Sequence, residues 1–227
     1  GDQARRIEDD LRRAELIQRA MLPETPPVSD DVAVNALYRP SRNVGGDLYD
    51  VLRVADRYLL LYVADAAGHG VSAAMLAVLF KHRLHMWNED AGEPTAPAEV
   101  LRRVNHALVM ECQAPGLFVT AVYCVLDLQT RRLQIASAGH PPVLVRHGDG
   151  KVEKVYHTGS ALGIAPELEF AQKEMRFAED DELLLYTDGL FESNDGAEIM
   201  KVDQLAEIFS SRAFGGLGFL SDLLGKA

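Results

Sequence analysis

The fold is decided by residues 45–70, which read GGDLYDVLRVADRYLLLYVADAAGHG. Short runs rich in β-forming residues lie on both sides of Ala55-Asp56-Arg57, a pattern that predicts a β-hairpin turning at these three residues. If the turn centres on Asp56, two residues face each other when their numbers add up to twice 56. Asp47 and Asp65 meet this condition, so their Cβ atoms are predicted to lie about 5 Å apart on one face of the sheet.

An Asp47–Asp65 pair on one face would carry an electrostatic penalty. Two carboxylates at this separation repel each other by about 3 kcal/mol at an effective dielectric constant of about 20. A divalent cation between them would offset the repulsion, and ligands that are all oxygen favour Mg²⁺ or Mn²⁺ over Zn²⁺. A register shifted by one residue would instead send the side chains to opposite faces, and the hairpin alone does not decide between these interpretations.

Two further features favour a cation site. Residues 66–70 form a glycine-rich turn after a strand, and such a turn lets the backbone approach a cation or a phosphate. Asp188 closes another strand-like run, residues 183–187.

His69 and His140 are candidate general acids, with a structural role in a turn as the alternative. The sequence has neither a G-x-S-x-G elbow nor a Walker A loop, which argues against a nucleophilic serine and a P-loop nucleotide site.

The rest of the chain alternates helical and strand-like patterns. Periodicity predicts helices over 3–22, 71–87, 98–112 and 202–209, and further strands over 118–126, 133–137, 143–145, 152–156 and 173–177. In the first helix, apolar residues from Ile7 to Met21 share one face opposite a charged face, and Pro23 ends it. This helix either packs on its own domain or forms a coiled-coil linker from an upstream domain.

Composition excludes several classes of protein. Hydrophobic residues make up 48% of the 227 residues, enough for a core, and the net charge of −11 argues against nucleic acid as a partner. No stretch is long and apolar enough to span a membrane and no signal peptide is visible, so we expect a cytoplasmic protein. Cys112 and Cys124 lie in no metal-ligand spacing, which makes a structural zinc site and a disulfide framework improbable. Because the chain begins at Gly1, we interpret it as a fragment of a longer protein.

Five motifs together resemble a known family. In order they are Ile17-Gln18 with Met21-Leu22-Pro23, Gly45 to Asp50, Asp65 to Gly70, Ser137 to Pro142, and Tyr186 to Glu192. Their order and spacing resemble the bacterial branch of the protein phosphatase 2C-type, metal-dependent phosphatases, typified by the sporulation stage II phosphatase and the stress sigma-factor phosphatases. The resemblance covers about residues 15–210.

The resemblance implies an α+β fold, an αββα sandwich of two antiparallel β-sheets flanked by helices. Residues 1–24 would be an N-terminal helical linker and residues 25–227 the phosphatase domain. The resemblance also implies two Mn²⁺ or Mg²⁺ ions, with Asp65 as the bridging catalytic ligand. The other ligands would be Asp47, the carbonyl of Ala66, and Asp188.

The resemblance further implies a function and partners. A water bridging the two ions would attack a phosphoserine or phosphothreonine of a signalling protein, in this branch an anti-sigma-factor antagonist. We expect an upstream receiver or sensor domain, as in two-component signalling, and possible homodimerisation through residues 3–22. The alternative functions are a non-catalytic, partner-binding signalling module on the same fold and a hydrolase of small phosphoesters. The presence of all three aspartates favours catalysis.

One departure from the family concerns the C-terminal end. The family's final strand carries an Asp-Asp-x-Thr motif that supplies another metal ligand, and neither Asp203 nor Asp222 stands in that setting. We therefore expect that the C-terminal strand is missing from residues 25–227. Cation binding would then be weak, because water must replace a carboxylate ligand.

Overall fold

The computed structural model describes residues 2–23, 32–39, 44–111, 116–191 and 200–211. Its helices are α1 (Asp2–Arg19), α2 (Val71–Arg83), α3 (Pro97–Glu111) and α4 (Val202–Ser211), with a short 3₁₀ helix at Asp188–Leu190. Its strands are β1 (Asp47–Val54), β2 (Tyr58–Ala66), β3 (Trp87–Asn88), β4 (Glu93–Pro94), β5 (Val119–Asp127), β6 (Arg132–Ala138), β7 (Val143–Arg146), β8 (Val152–Val155), β9 (Lys173–Arg176) and β10 (Glu182–Leu184).

Two antiparallel sheets organise the described part of the chain. The first has the strand order β1-β2-β5-β6-β9 and the second the order β10-β7-β8. In the first hairpin, Ala55 and Asp56 have φ angles of 52° and 51°, as the tight turns that match the twist of a hairpin require. The strands pair with Asp47 opposite Asp65, which confirms the predicted register.

The sheets and helices form four layers. On the outer face of the first sheet, Leu60 packs with Phe80 of α2. The opposite face of the same strand carries Leu59, which belongs to a second core together with Val145 of the second sheet. Leu144 points to the far side of the second sheet and packs with α4. The alternation of neighbouring residues between two hydrophobic cores produces the αββα sandwich, as predicted.

Cys124 lies at the centre of this sandwich. It sits on β5, is fully buried in the core between the two sheets, and is a free thiol. Burial raises the pKa of its thiol well above the usual range, because the interior does not solvate a thiolate. Cys112 lies outside the described residues.

The structure corrects one helix boundary. Helix α2 ends at Arg83, short of the predicted 87, and Leu84 has extended backbone angles of −73° and 105°. Trp87 instead belongs to β3, which pairs with β4 before the start of α3. The Trp87 ring packs edge-to-face against Tyr58, with 6.0 Å between ring centres. This aromatic contact and the β3–β4 pairing outweigh the helical propensity of residues 84–87.

A second correction concerns the strand before Asp188. We expected residues 183–187 to be strand, whereas β10 covers only Glu182–Leu184. The following residues leave the sheet, and Thr187 turns its side chain toward Asp47. Helix α1 ends at Arg19, three residues before the predicted end at 22, and the remaining predicted elements agree with the structure to within two residues.

Helix α1 meets the domain mainly through its last turns. Ile7 and Ile17 remain exposed, by 56% and 67%, whereas Leu11 is half-buried and Gln18 is buried. The predicted domain boundary between residues 24 and 25 lies outside the described residues, and so does Asp222. None of the helices in the described ranges combines the length and the apolar character needed to cross a membrane.

Candidate metal centre

The two aspartates of the first hairpin lie at its open end. Asp47 begins β1 and pairs with Asp65 on β2, so the two are cross-strand neighbours on one face. Burial, and after it the negative charge of Asp188, raise the pKa of Asp47 to about 6. The Thr187 hydroxyl donates a hydrogen bond of 3.3 Å to Oδ2 of Asp47, and this hydrogen bond lowers the pKa of Asp47. Asp47 therefore binds a proton more readily than an exposed carboxyl does, and a bound cation would lower its pKa again.

Asp188 reaches the same place from the second sheet. It starts the 3₁₀ helix Asp188–Leu190 and is exposed, while its neighbour Thr187 holds the carboxylate of Asp47. Asp47 thus lies beside Asp65 through strand pairing and beside Asp188 through space. All three predicted aspartates come to one end of the sandwich.

The predicted carbonyl ligand, Ala66, lies against a glycine. Its N–H donates to the carbonyl of Gly46 at 3.2 Å. A Cβ atom added to Gly46 would lie only 2.3 Å from the carbonyl oxygen of Ala66, closer than any real contact. The Ala66 carbonyl therefore occupies a space that only glycine at position 46 leaves free.

The chemical nature of these groups suits a hard divalent cation. They offer carboxylate and carbonyl oxygens, the ligand types that Mg²⁺ and Mn²⁺ prefer, and a bound cation would offset the repulsion at Asp47. Within the ranges that the structure describes, no group of three or more His, Cys, Asp or Glu side chains is already arranged to hold a metal ion. The assignment of Asp47, Asp65, Ala66 and Asp188 as ligands therefore stays a prediction.

A cavity of about 500 Å³ gives access to this end of the sandwich. It is lined by residues 32–39, by β1, and by the segment from Leu183 to Thr187, and it reaches Asp47. In the described part of the chain, β1 and β10 are each the last strand of their sheet on this side. The expectation that a further strand is missing here stays a prediction.

His140 joins the two sheets just behind the aspartates. It is 3% exposed, and its Nε2 donates to the carbonyl of Tyr186 at 2.9 Å while its Nδ1 lies 3.0 Å from the Thr120 hydroxyl. Thr120 pairs with Asp65, and Tyr186 precedes the segment that holds Asp188. Burial lowers the pKa of His140 to about 4, so the ring is neutral at pH 7. We interpret His140 as a structural bridge.

The buried His140 should make stability depend on pH. Between about pH 6.5 and about pH 4 the unfolded chain binds a proton at this residue that the folded chain does not. The free energy of unfolding should therefore fall by up to about 3 kcal/mol as the pH drops through this window. In urea titrations, His140→Gln should flatten this dependence. The exposed His106 on α3 gives the matched control, and His106→Gln should keep the wild-type slope; equal slopes for both variants would contradict the bridge.

Sequence reasoning missed two side chains near the aspartates. Thr187 was seen only as part of a strand and of a motif, although its position directly before Asp188 could have suggested that its hydroxyl contacts a carboxylate of the site. Gln18 was seen only as part of a motif, yet it is buried on the face of α1 that also carries the half-buried Leu11 and Ala14. A polar residue on the packed face of a helix is the signal that could have identified it.

Comparisons with known proteins agree with this architecture. The family described as Stage II sporulation protein E (SpoIIE) matches residues 55–224. The phosphoserine phosphatase RsbP of Bacillus subtilis (strain 168) is 29% identical over 187 residues, and the phosphoserine phosphatase RsbU of the same organism is 23% identical over 187 residues. The SiaA-PP2C domain of Pseudomonas aeruginosa superposes with a TM-score of 0.79 at 24% identity, covering 99% of this chain and 92% of that one.

The two relatives are matched over only part of their length. The alignments include 81% and 82% of this chain but only 45% of RsbP and 54% of RsbU, so the chain spans about half the length of these relatives. The family match, in contrast, runs through most of the sequence and includes Asp65 and Asp188. With the fold of PP2C domains, this chain belongs to the Stage II sporulation protein E (SpoIIE) family.

Proposed function

We propose that the chain is a metal-dependent protein serine/threonine phosphatase. The observation that carries the proposal is the placement of Asp47 opposite Asp65 with the charge of Asp188 close enough to raise the pKa of Asp47. The names of two relatives as phosphoserine phosphatases support it. A purely structural cluster of like charges would destabilise the fold without a compensating function.

The proposal gives each residue of the site a role. Asp65 would bridge two Mn²⁺ or Mg²⁺ ions, with Asp47, the carbonyl of Ala66 and Asp188 completing the ligand set. Ions bound there would lower the pKa of a bridging water and stabilise the transferring phosphoryl group. Thr187 orients the carboxylate of Asp47 through its hydrogen bond.

The proposed substrate is a phosphorylated signalling protein, specifically an anti-sigma-factor antagonist in the cytoplasm. Asp188 is exposed, so a phosphate carried on the surface of another protein can approach this end of the sandwich. The charge of −11 disfavours a nucleic acid substrate. We propose in addition that an upstream receiver or sensor domain controls this activity.

Phosphate release from a phosphoserine peptide tests the proposal directly. The purified chain should release phosphate with Mn²⁺, lose this activity in excess EDTA, and regain it when Mn²⁺ is restored. A chain that binds a phosphorylated partner protein but releases no phosphate at any Mn²⁺ concentration would favour the partner-binding module instead. Equal turnover of small phosphoesters and phosphopeptides would favour the hydrolase of small phosphoesters.

We propose that residues 1–24 form a linker that also dimerises through the apolar residues of α1. Ile7 and Ile17 are both more than half exposed on the same side of α1, which leaves apolar surface for a second helix. In light scattering, Ile7→Glu combined with Ile17→Glu should convert a dimer, with twice the chain mass of 24.9 kDa, into a monomer. The reason is that burying charged side chains between two helices is unfavourable. Gln3→Glu with Arg12→Gln makes the same change in charge at exposed polar positions and should leave the dimer intact. A wild-type chain that is monomeric throughout would contradict dimerisation through α1.

A further inference from the structure

Gln18 is a buried polar residue on an otherwise exposed stretch of helix. It is 6% exposed, whereas the two residues before it, Leu16 and Ile17, are 68% and 67% exposed. Its Nε2 donates to the carbonyl of Gly45 at 2.6 Å, and its Oε1 accepts from the N–H of Gly45 at 3.1 Å. One side chain thus satisfies both backbone groups of one residue, as a neighbouring strand would.

The residue that Gln18 holds leads directly into the candidate metal centre. Gly45 is followed by Gly46, whose carbonyl accepts from Ala66, and then by Asp47. Tyr38 adds a second attachment, a hydrogen bond of 3.4 Å from its hydroxyl to the carbonyl of Asp47. Two consecutive glycines have wide conformational freedom, so the backbone before Asp47 depends on such contacts for a fixed geometry.

We propose that Gln18 is a positioning residue that orders the backbone from Gly45 to Asp47 for cation binding. The inference rests on the proposed metal-dependent function and assigns α1 a part in the site, although no atom of α1 is proposed as a ligand. A ligand that is already ordered loses little entropy when the ion binds, whereas a free Gly45-Gly46 segment must be ordered by the ion itself. Loss of the Gln18 bonds should weaken ion affinity more than it slows turnover at saturating ion.

The competing explanation is that Gln18 only fastens α1 to the domain. The end of α1 has another attachment, since Lys81 donates to the carbonyl of Met21 and forms an ion pair of 2.9 Å with Asp50. If fastening were the whole role, loss of Gln18 would lower the melting temperature and leave the affinity for Mn²⁺ unchanged. The two explanations therefore differ in a quantity that can be measured without turnover.

Gln18→Met is the informative variant, because methionine has a similar length and forms neither hydrogen bond. Isothermal titration with Mn²⁺ alone should give a dissociation constant raised by about tenfold, in the range found for residues that orient metal ligands. The concentration of Mn²⁺ for half-maximal phosphate release should rise by the same factor, with kcat at saturating Mn²⁺ within about twofold of wild type. Gln3→Met makes the same replacement at an exposed position of α1 and should change neither quantity.

The outcomes are separable from those of the proposed function. An unchanged dissociation constant in a folded Gln18→Met protein overturns the positioning role, whatever its melting temperature. Should that protein fail to fold, Gln18→Asn, which retains the amide but is one methylene shorter, gives the same comparison. A wild-type chain that takes up no Mn²⁺, or takes it up equally well as Asp65→Ala, overturns the metal-dependent function itself.

Discussion

Replacing Asp65 with alanine should reduce metal-dependent phosphate release by about a thousandfold or more while the protein stays folded. The size of the loss follows from the bridging role, because both ions and the attacking water would lose their shared ligand. Removing one of two facing carboxylates also relieves a repulsion of about 3 kcal/mol, so the stability of the metal-free protein should hold or rise. Phosphate release and the melting temperature of the same preparation measure the two effects together.

The control for Asp65 lies in the same hairpin. Asp65→Asn and Asp56→Asn make the same chemical change at the open end and at the exposed turn, and asparagine tolerates the positive φ of residue 56. Asp56→Asn should keep full activity and Asp65→Asn should lose nearly all of it. Full activity in Asp65→Ala would exclude the two-ion mechanism.

Gly46→Ala should destabilise the protein and also weaken its affinity for Mn²⁺. The added Cβ would meet the Ala66 carbonyl oxygen at 2.3 Å and the Ala66 carbonyl carbon at 3.1 Å, both of them backbone atoms that cannot rotate away. Separating the strands at this point should cost about 3 kcal/mol, seen as a lower urea midpoint. Because the displaced groups adjoin Asp47 and include the Ala66 carbonyl, Mn²⁺ binding should weaken as well.

Its neighbour provides the comparison for Gly46. A Cβ at Gly45 would come no closer than 3.9 Å to any atom outside its chain neighbours, so Gly45→Ala should leave stability nearly unchanged. The pair separates the effect of close approach from the general effect of replacing a glycine. Equal urea midpoints for the two variants would show that the backbone at Ala66 moves freely.

The Asp47–Asp65 pairing could be predicted because it depends on local information. Once the turn is centred on Asp56, strand periodicity fixes every pair along the hairpin, and the observed register agrees. The layers of the sandwich, in contrast, came from the resemblance to a family, because no pattern within one strand states which sheet it faces. The end of α2 was wrong since the Trp87–Tyr58 contact that competes with the helix is a tertiary one.

The residues that surround the candidate site could not be predicted from the sequence, because they also depend on tertiary contacts. Thr187 and Asp47 lie 140 positions apart, and Gln18 and Gly45 lie 27 apart, so neither hydrogen bond leaves a periodic trace. His140 could be named from its motif, but the Thr120 and Tyr186 partners that make it a bridge became visible only in the fold. Residue types that carry chemistry were predictable, whereas the residues that orient them were not.

The burial of Cys124 turns the centre of the sandwich into a built-in reporter. A thiol that lies between two sheets and resists ionisation cannot meet an alkylating reagent until those sheets part. With Cys112 changed to serine, the rate at which the chain acquires one alkyl group would therefore count openings of the whole sandwich under native conditions. Added Mn²⁺ that binds only the closed form would slow this labelling, so mass spectrometry of a single thiol could follow ion binding without any substrate.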